Sequence, residues 1–144
     1  MWQFLQSLFF GGLFLITPAP VSITGSWQQI PLKAPLEVLN SGAALEIDVT
    51  SVIPPTKPGG HDVTERFNSI DKHFPQGCVE ARLIAKGGTV ISVSNVAAGV
   101  TSTHTHLLLS GTNGMPLSHK FSKLLIRASC PMSSVTIYWR NSGK

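Results

Sequence analysis

Period-two alternation of apolar and polar residues most limits what this chain can fold into. In Leu45-Glu46-Ile47-Asp48-Val49-Thr50 the apolar side chains share one face and the polar ones the other. Val79-Glu80-Ala81-Arg82-Leu83 repeats the pattern. Ile91 with Val93, and Leu107 with Leu109 and Thr105, form further one-sided runs. Residues 122–128 turn Leu124, Ile126 and Ala128 one way and Lys123 and Arg127 the other. Residues 134–140 set Val135, Ile137 and Trp139 against Thr136, Tyr138 and Arg140. Successive strand side chains point to opposite faces, so clean alternation means one buried face and one wet face, as in antiparallel sheets. The run 31–39, with Pro31 and Pro35, reads as a weaker strand suited to a sheet edge, where a missing N–H does no harm.

Turn chemistry separates the runs at Asn40-Ser41-Gly42, at Lys86-Gly87-Gly88 and at Gly111-Thr112-Asn113-Gly114. Lys86-Gly87-Gly88-Thr89 predicts a tight hairpin. Short strands at this spacing predict an all-β antiparallel two-sheet sandwich, immunoglobulin-like or jelly-roll-like, with a barrel as the alternative. One segment departs from period two. After the Pro- and Gly-rich loop 54–60, Val63, Phe67, Ile70 and Phe74 recur at helical spacing, and Pro75 and Gly77 stop the run. This predicts a helix over 62–73, with Asp62 and Glu65 at capping-box spacing.

Residues 1–26 carry no charged side chain, and their first sixteen positions are densely apolar. The stretch is shorter than the roughly 20 apolar residues of a spanning helix. Thr17-Pro18-Ala19-Pro20 then breaks it, as in a secretory signal, although no Lys or Arg precedes the apolar run. The expectation is a signal peptide or apolar anchor over 1–26, with a cleavage point near Ser26-Trp27, followed by a single β-sandwich domain over 27–144. Cys78 and Cys130 are the only cysteines, an even pair that favours a disulfide in a periplasmic or secreted chain. In the chain-entropy picture, closing so long a loop contributes about 4 kcal/mol.

Charge is sparse and unevenly placed. Charged residues are 12% of the 144-residue chain, about half the usual share. All the acidic residues lie between Glu37 and Glu80. Residues 81–144 carry Arg82, Lys86, Lys120, Lys123, Arg127, Arg140 and Lys144 with no acidic residue. A field of one sign steers acidic partners. The expected partner is an acidic protein, with an anionic glycan or lipid surface as alternatives, and with Lys120, Lys123, Arg127 and Arg140 as the contacts. Nucleic acid is not expected: there is no recognition-helix or zinc-finger spacing, and few aromatic residues are free for base stacking. Membrane contact is expected only through residues 1–26, if they are retained.

His104-Thr105-His106 would point both imidazoles to one face of a strand, within reach of one metal, with His61 or His119 as a third ligand. Neither G-x-S-x-G nor H-E-x-x-H occurs. The remaining glycines of a phosphate-binding loop are absent around Gly87-Gly88, and no cofactor motif is present. The reading is therefore a non-catalytic exported binding protein of inhibitor or immunity type that docks through a basic face. The alternatives are a structural subunit of an envelope or surface assembly and a metal-binding protein using His104 and His106.

Overall fold

The computed structural model describes residues 13–39, 42–111, 115–130 and 132–141. Most of the apolar run at 1–12, the Asn40-Ser41 turn, positions 112–114 and Lys144 lie outside the described residues. The strands are β1 (Leu13–Leu15), β2 (Val21–Ile23), β3 (Gln28–Ile30), β4 (Leu36–Glu37), β5 (Ala44–Asp48), β6 (Val79–Ala85), β7 (Val90–Val100), β8 (Thr105–Ser110), β9 (Lys120–Ala128) and β10 (Met132–Arg140). A 3₁₀ turn at Pro58–Gly60 and one helix, α1 (Val63–His73), separate β5 from β6.

Every pairing is antiparallel, and one hydrogen-bonded path runs β1-β10-β5-β8-β7-β6-β9-β3, with β2 also on β10 and β4 also on β9. Among the described residues the architecture is therefore mostly antiparallel β-structure with one short helix. The expected division into two sheets is not how the pairing runs: the strands form one sheet curled into a half-barrel. Alternation along a strand reports which face is wet, and it does so identically for a curled sheet and for a sandwich.

The burial pattern follows the alternation. Leu45, Ile47, Val79, Leu83, Leu107, Leu109, Leu124, Ile126, Val135 and Ile137 line the inner face and are almost completely buried. The Lys86–Thr89 turn closes the expected hairpin: the Ala85 N–H donates to the Thr89 carbonyl and the Gly88 N–H to the Ala85 carbonyl. Gly88 adopts φ +98°, which a side chain would resist. The run 31–39 yields only the two residues of β4, and pairing along β9 begins earlier, at Gln28–Ile30.

Helix α1 spans nearly the expected residues but is held differently. Glu65 does not close a capping box; its carboxylate meets Lys57 Nζ at 2.8 Å. Asp62 accepts from the Thr56 N–H and the Thr56 hydroxyl and lies 3.4 Å from Arg66. The helix buries Arg66 and Ile70 and leaves Phe67 40% exposed, so the apolar stripe is rotated partly to solvent. At the other end of the helix, the buried Asn95 side chain accepts from the N–H groups of Gly77 and Val79 and donates to the carbonyls of Phe74 and Pro75. Val96 beside it sits at a β-bulge in β7.

The Cys78–Cys130 disulfide joins the start of β6 to the end of β9, across a sequence separation of 52. The segment 13–23, within the stretch read as signal or anchor, is folded against β10. Ile16 and Ile23 belong to the core, the Ile16 N–H donates to the Ile137 carbonyl, and Thr17 Oγ1 accepts from the Ile137 N–H. A chain that starts at Trp27 lacks β1 and β2 and uncovers that edge of β10. Removing two buried isoleucines should cost at least about 3 kcal/mol. Urea unfolding of the full chain and of a 27–144 chain, followed by circular dichroism, checks this. Asn95→Ala should cost about 1–3 kcal/mol in the same assay, because the Val79 N–H and the Phe74 carbonyl lose their side-chain partner, whereas the Gly77 N–H keeps the Asn95 carbonyl and the Pro75 carbonyl keeps the Cys78 N–H.

Candidate functional site

The outer face of β3, β9 and β6 gathers Arg82, Lys123 and Arg127, with Glu80 as the acidic residue among them. The register sets Glu80 opposite Arg127, Arg82 opposite Leu125, and Ile84 opposite Lys123, while Gln29 pairs with Leu125 from the other side. Phe121, Leu124, Ile126 and Ala128 take the inner face, so Lys123, Leu125 and Arg127 are left outside. Trp27, just before β3, lies on this face. Its ring centroid is 4.3 Å from Arg82 Cζ and 4.5 Å from Arg127 Cζ. Each cation–π contact contributes about 0.5–1 kcal/mol at an exposed site and holds the guanidinium in place. Arg127 also pairs with Glu80, at 2.9 Å. Arg82 has no carboxylate within salt-bridge distance among the described residues. The face thus carries Arg82, Lys123 and Arg127 against the single acidic Glu80, around Trp27, Leu125 and Ile84.

The four basic residues expected to act together do not all meet here. Lys123 and Arg127 share the face. Lys120 is on the same strand but beyond the register irregularity, opposite Glu37 of β4. Arg140 is on β10, with β5, β8, β7 and β6 between it and β9 in the sheet path, and its Nε is 2.8 Å from Glu46 Oε1. Arg82 and Trp27 take their places. Arg82 was visible as an outward position of an alternating strand. Trp27 was not, because its position depends on how β3 aligns with β9.

A second cluster lies on the outer side of β5, β8 and β10. A cavity of about 350 Å³ is bordered by Glu46, Asp48, His104, His106 and Tyr138. His104 is not on the strand; it sits in the turn before β8, with its side chain 58% exposed. Its Nε2 is 3.8 Å from Asp48 Oδ2, and its Nδ1 is 2.8 Å from Thr103 Oγ1. His106 lies over Gly99, where a Cβ would come within 2.2 Å of the ring. The pairing of β5 with β8 supplies the carboxylate that the local sequence lacks. Even so, no group of three or more His, Cys, Asp or Glu side chains among the described residues is arranged to hold a metal ion. His119 lies in another part of the fold, its Nδ1 3.3 Å from the Leu117 carbonyl. Thr103, His104 and Asp48 are the residue types of a nucleophile relay. However, the N–H groups of Thr103 and His104 both donate to Thr101 Oγ1, so neither is free to stabilise an oxyanion.

The turn holding His104 is fixed from below by the buried Asp62–Arg66 pair. Arg66 Nη1 donates to the Thr101 carbonyl at 2.8 Å and to the His104 carbonyl at 3.3 Å, and Nη2 also donates to the Thr101 carbonyl. The hydrogen bond from the Thr56 N–H, helped by the Thr56 hydroxyl and by Arg66, lowers the Asp62 carboxyl to about 2. Comparison with protein-family models, with curated proteins and with solved structures finds no match for this chain.

Because the folded Asp62 carboxyl titrates below its ordinary value of 3.8, its stabilising contribution is full above about pH 4 and is lost as the pH falls towards 2. Acid unfolding of Asp62→Asn should lack that component, which urea midpoints between those pH values would show. Gly99→Ala should drive His106 out of its place over β7. The imidazole signals of His106 should then shift in a proton–nitrogen correlation spectrum, with those of His119 unchanged.

Proposed function

We propose that this is a non-catalytic, exported binding protein that docks on an acidic protein surface through the outer face of β3, β9 and β6. The observation that carries the reading is the Trp27 ring against Arg82 and Arg127. A tryptophan and arginines around a small apolar centre are the residue types that dominate protein–protein interfaces. Pre-ordered guanidinium groups lose less side-chain freedom when a partner's carboxylates arrive. Arg82 and Lys123 supply attraction, and Leu125, Ile84 and Trp27 supply the apolar area. The Cys78–Cys130 disulfide supports an oxidising location, periplasmic or extracellular. An inhibitor or immunity role, in which a small β-domain covers an acidic site on another protein, fits the size and this face.

The test begins with a partner isolated on the immobilised full chain from the extracytoplasmic fraction of its host. Arg82→Glu with Lys123→Glu should weaken binding to that partner at least about tenfold and flatten its dependence on salt. Lys120→Glu and Arg140→Gln should leave it within about twofold, since Lys120 is exposed away from this face and Arg140 is already paired with Glu46, whose carboxylate a glutamine can still meet. Equal losses from both pairs would mean that net charge, not this face, drives binding. Retention on heparin or on anionic vesicles with no protein partner would replace the protein reading with a glycan or lipid one.

A further inference from the structure

We propose that the seam of the half-barrel is a binding slot for a single alkyl chain with an anionic head, such as a medium-chain fatty acid. The sheet path ends with β1 and β2 on β10 and with β3 on β9, and no ladder joins β2 to β3 among the described residues. Between these ends lies a half-open groove of about 320 Å³, its floor at Ile16 and Ile30 and its rim at the exposed Pro18, Ala19, Pro31 and Lys33. Ile16 and Ile30, both core residues, lie at the seam, with Ala19 and Val21 on one lip. The volume holds roughly ten to eleven non-hydrogen atoms at ~30 Å³ each, the share of a water molecule in the liquid.

Two observations select the occupant. Pro18 and Pro31 line the slot, and Pro20 and Pro35 flank it in sequence. Neither Pro18 nor Pro31 has an N–H to give, so a peptide strand lying between them would lose ladder bonds that an alkyl chain does not need. Among the described residues, Lys33 is the only charged one in the lining, and it has no carboxylate within salt-bridge distance. An apolar slot with one unpaired cation is complementary to a carboxylate or phosphate on a hydrocarbon chain. The slot is separate from the Trp27 face and does not depend on that face binding a protein. It does require residues 16–21, so it exists only in a chain that keeps them.

The full chain, stripped of lipid, is titrated calorimetrically with saturated carboxylates from about six to about sixteen carbons. Affinity should rise by up to about fourfold per methylene and level off near ten to twelve carbons, where the slot is full. Lys33→Glu should weaken dodecanoate binding about fivefold and leave dodecanol binding unchanged. Ala19→Trp, at an exposed position, should block both ligands with the melting temperature unchanged. Absence of binding, a rise through the longest chains with no plateau, or indifference to both substitutions would overturn the proposal. Phosphatidylglycerol vesicles separate the sources. Lys33-dependent vesicle binding that dodecanoate displaces makes the source a membrane lipid, whereas dodecanoate binding without vesicle binding makes it a free amphiphile.

Discussion

The curl of the sheet depends on the meeting of β9 and β10 across its mouth. These strands follow one another in sequence, yet β5, β8, β7 and β6 lie between them along the hydrogen-bonded path. Phe121 on β9 and Trp139 on β10 meet edge to face, with ring centroids 6.5 Å apart and planes at 75°. Both rings are buried, so they bring the far ends of the sheet onto one core. The seam is tied further where Trp139 Nε1 and Asn141 Nδ2 both donate to the Glu37 carbonyl of β4. The seam slot takes its place from this closure, whereas the basic face follows from the pairing of β3, β9 and β6 and the histidine cavity from that of β5, β8 and β10.

Around that curl, the polar groups that had to be buried are used as fasteners. Asn95 spends both ends of its amide on the junction between α1 and β6. Asp62 and Arg66 lock the start of α1 to the turn between β7 and β8. The disulfide pins the last turn of the β9 region to β6. Each fastener joins segments far apart in sequence, which a sheet built mostly from long-range pairings needs, because its local turns do not hold it together alone.

The outside of the barrel separates into two chemical fields. The acidic residues Glu46 and Asp48 come from β5 and sit beside His104, His106 and Tyr138, with Arg140 drawn in by Glu46. Arg82, Lys123 and Arg127 lie on the other side of the sheet path, with Glu80 as the acidic residue among them. The charge asymmetry along the chain is therefore partly cancelled and partly kept. It cancels where β10 runs beside β5, and it survives where β9 runs beside β6 and β3.

Much of the architecture was written in local pattern. The inward sides of the strands, the hairpin at Gly87-Gly88, the span of α1 and the availability of Cys78 and Cys130 for pairing all follow from spacing and residue type. A two-residue period and a tight turn act over a few bonds, so a linear reading recovers them. Tertiary structure alone decided that the strands form one curled sheet, that residues 13–23 cover β10, that Arg66 rather than Phe67 faces inward, and that Trp27 meets Arg82 and Arg127. Those outcomes turn on which strand lies beside which and in what register. Sequence-distant backbones choose that by sharing one core, and no short window of residues contains it.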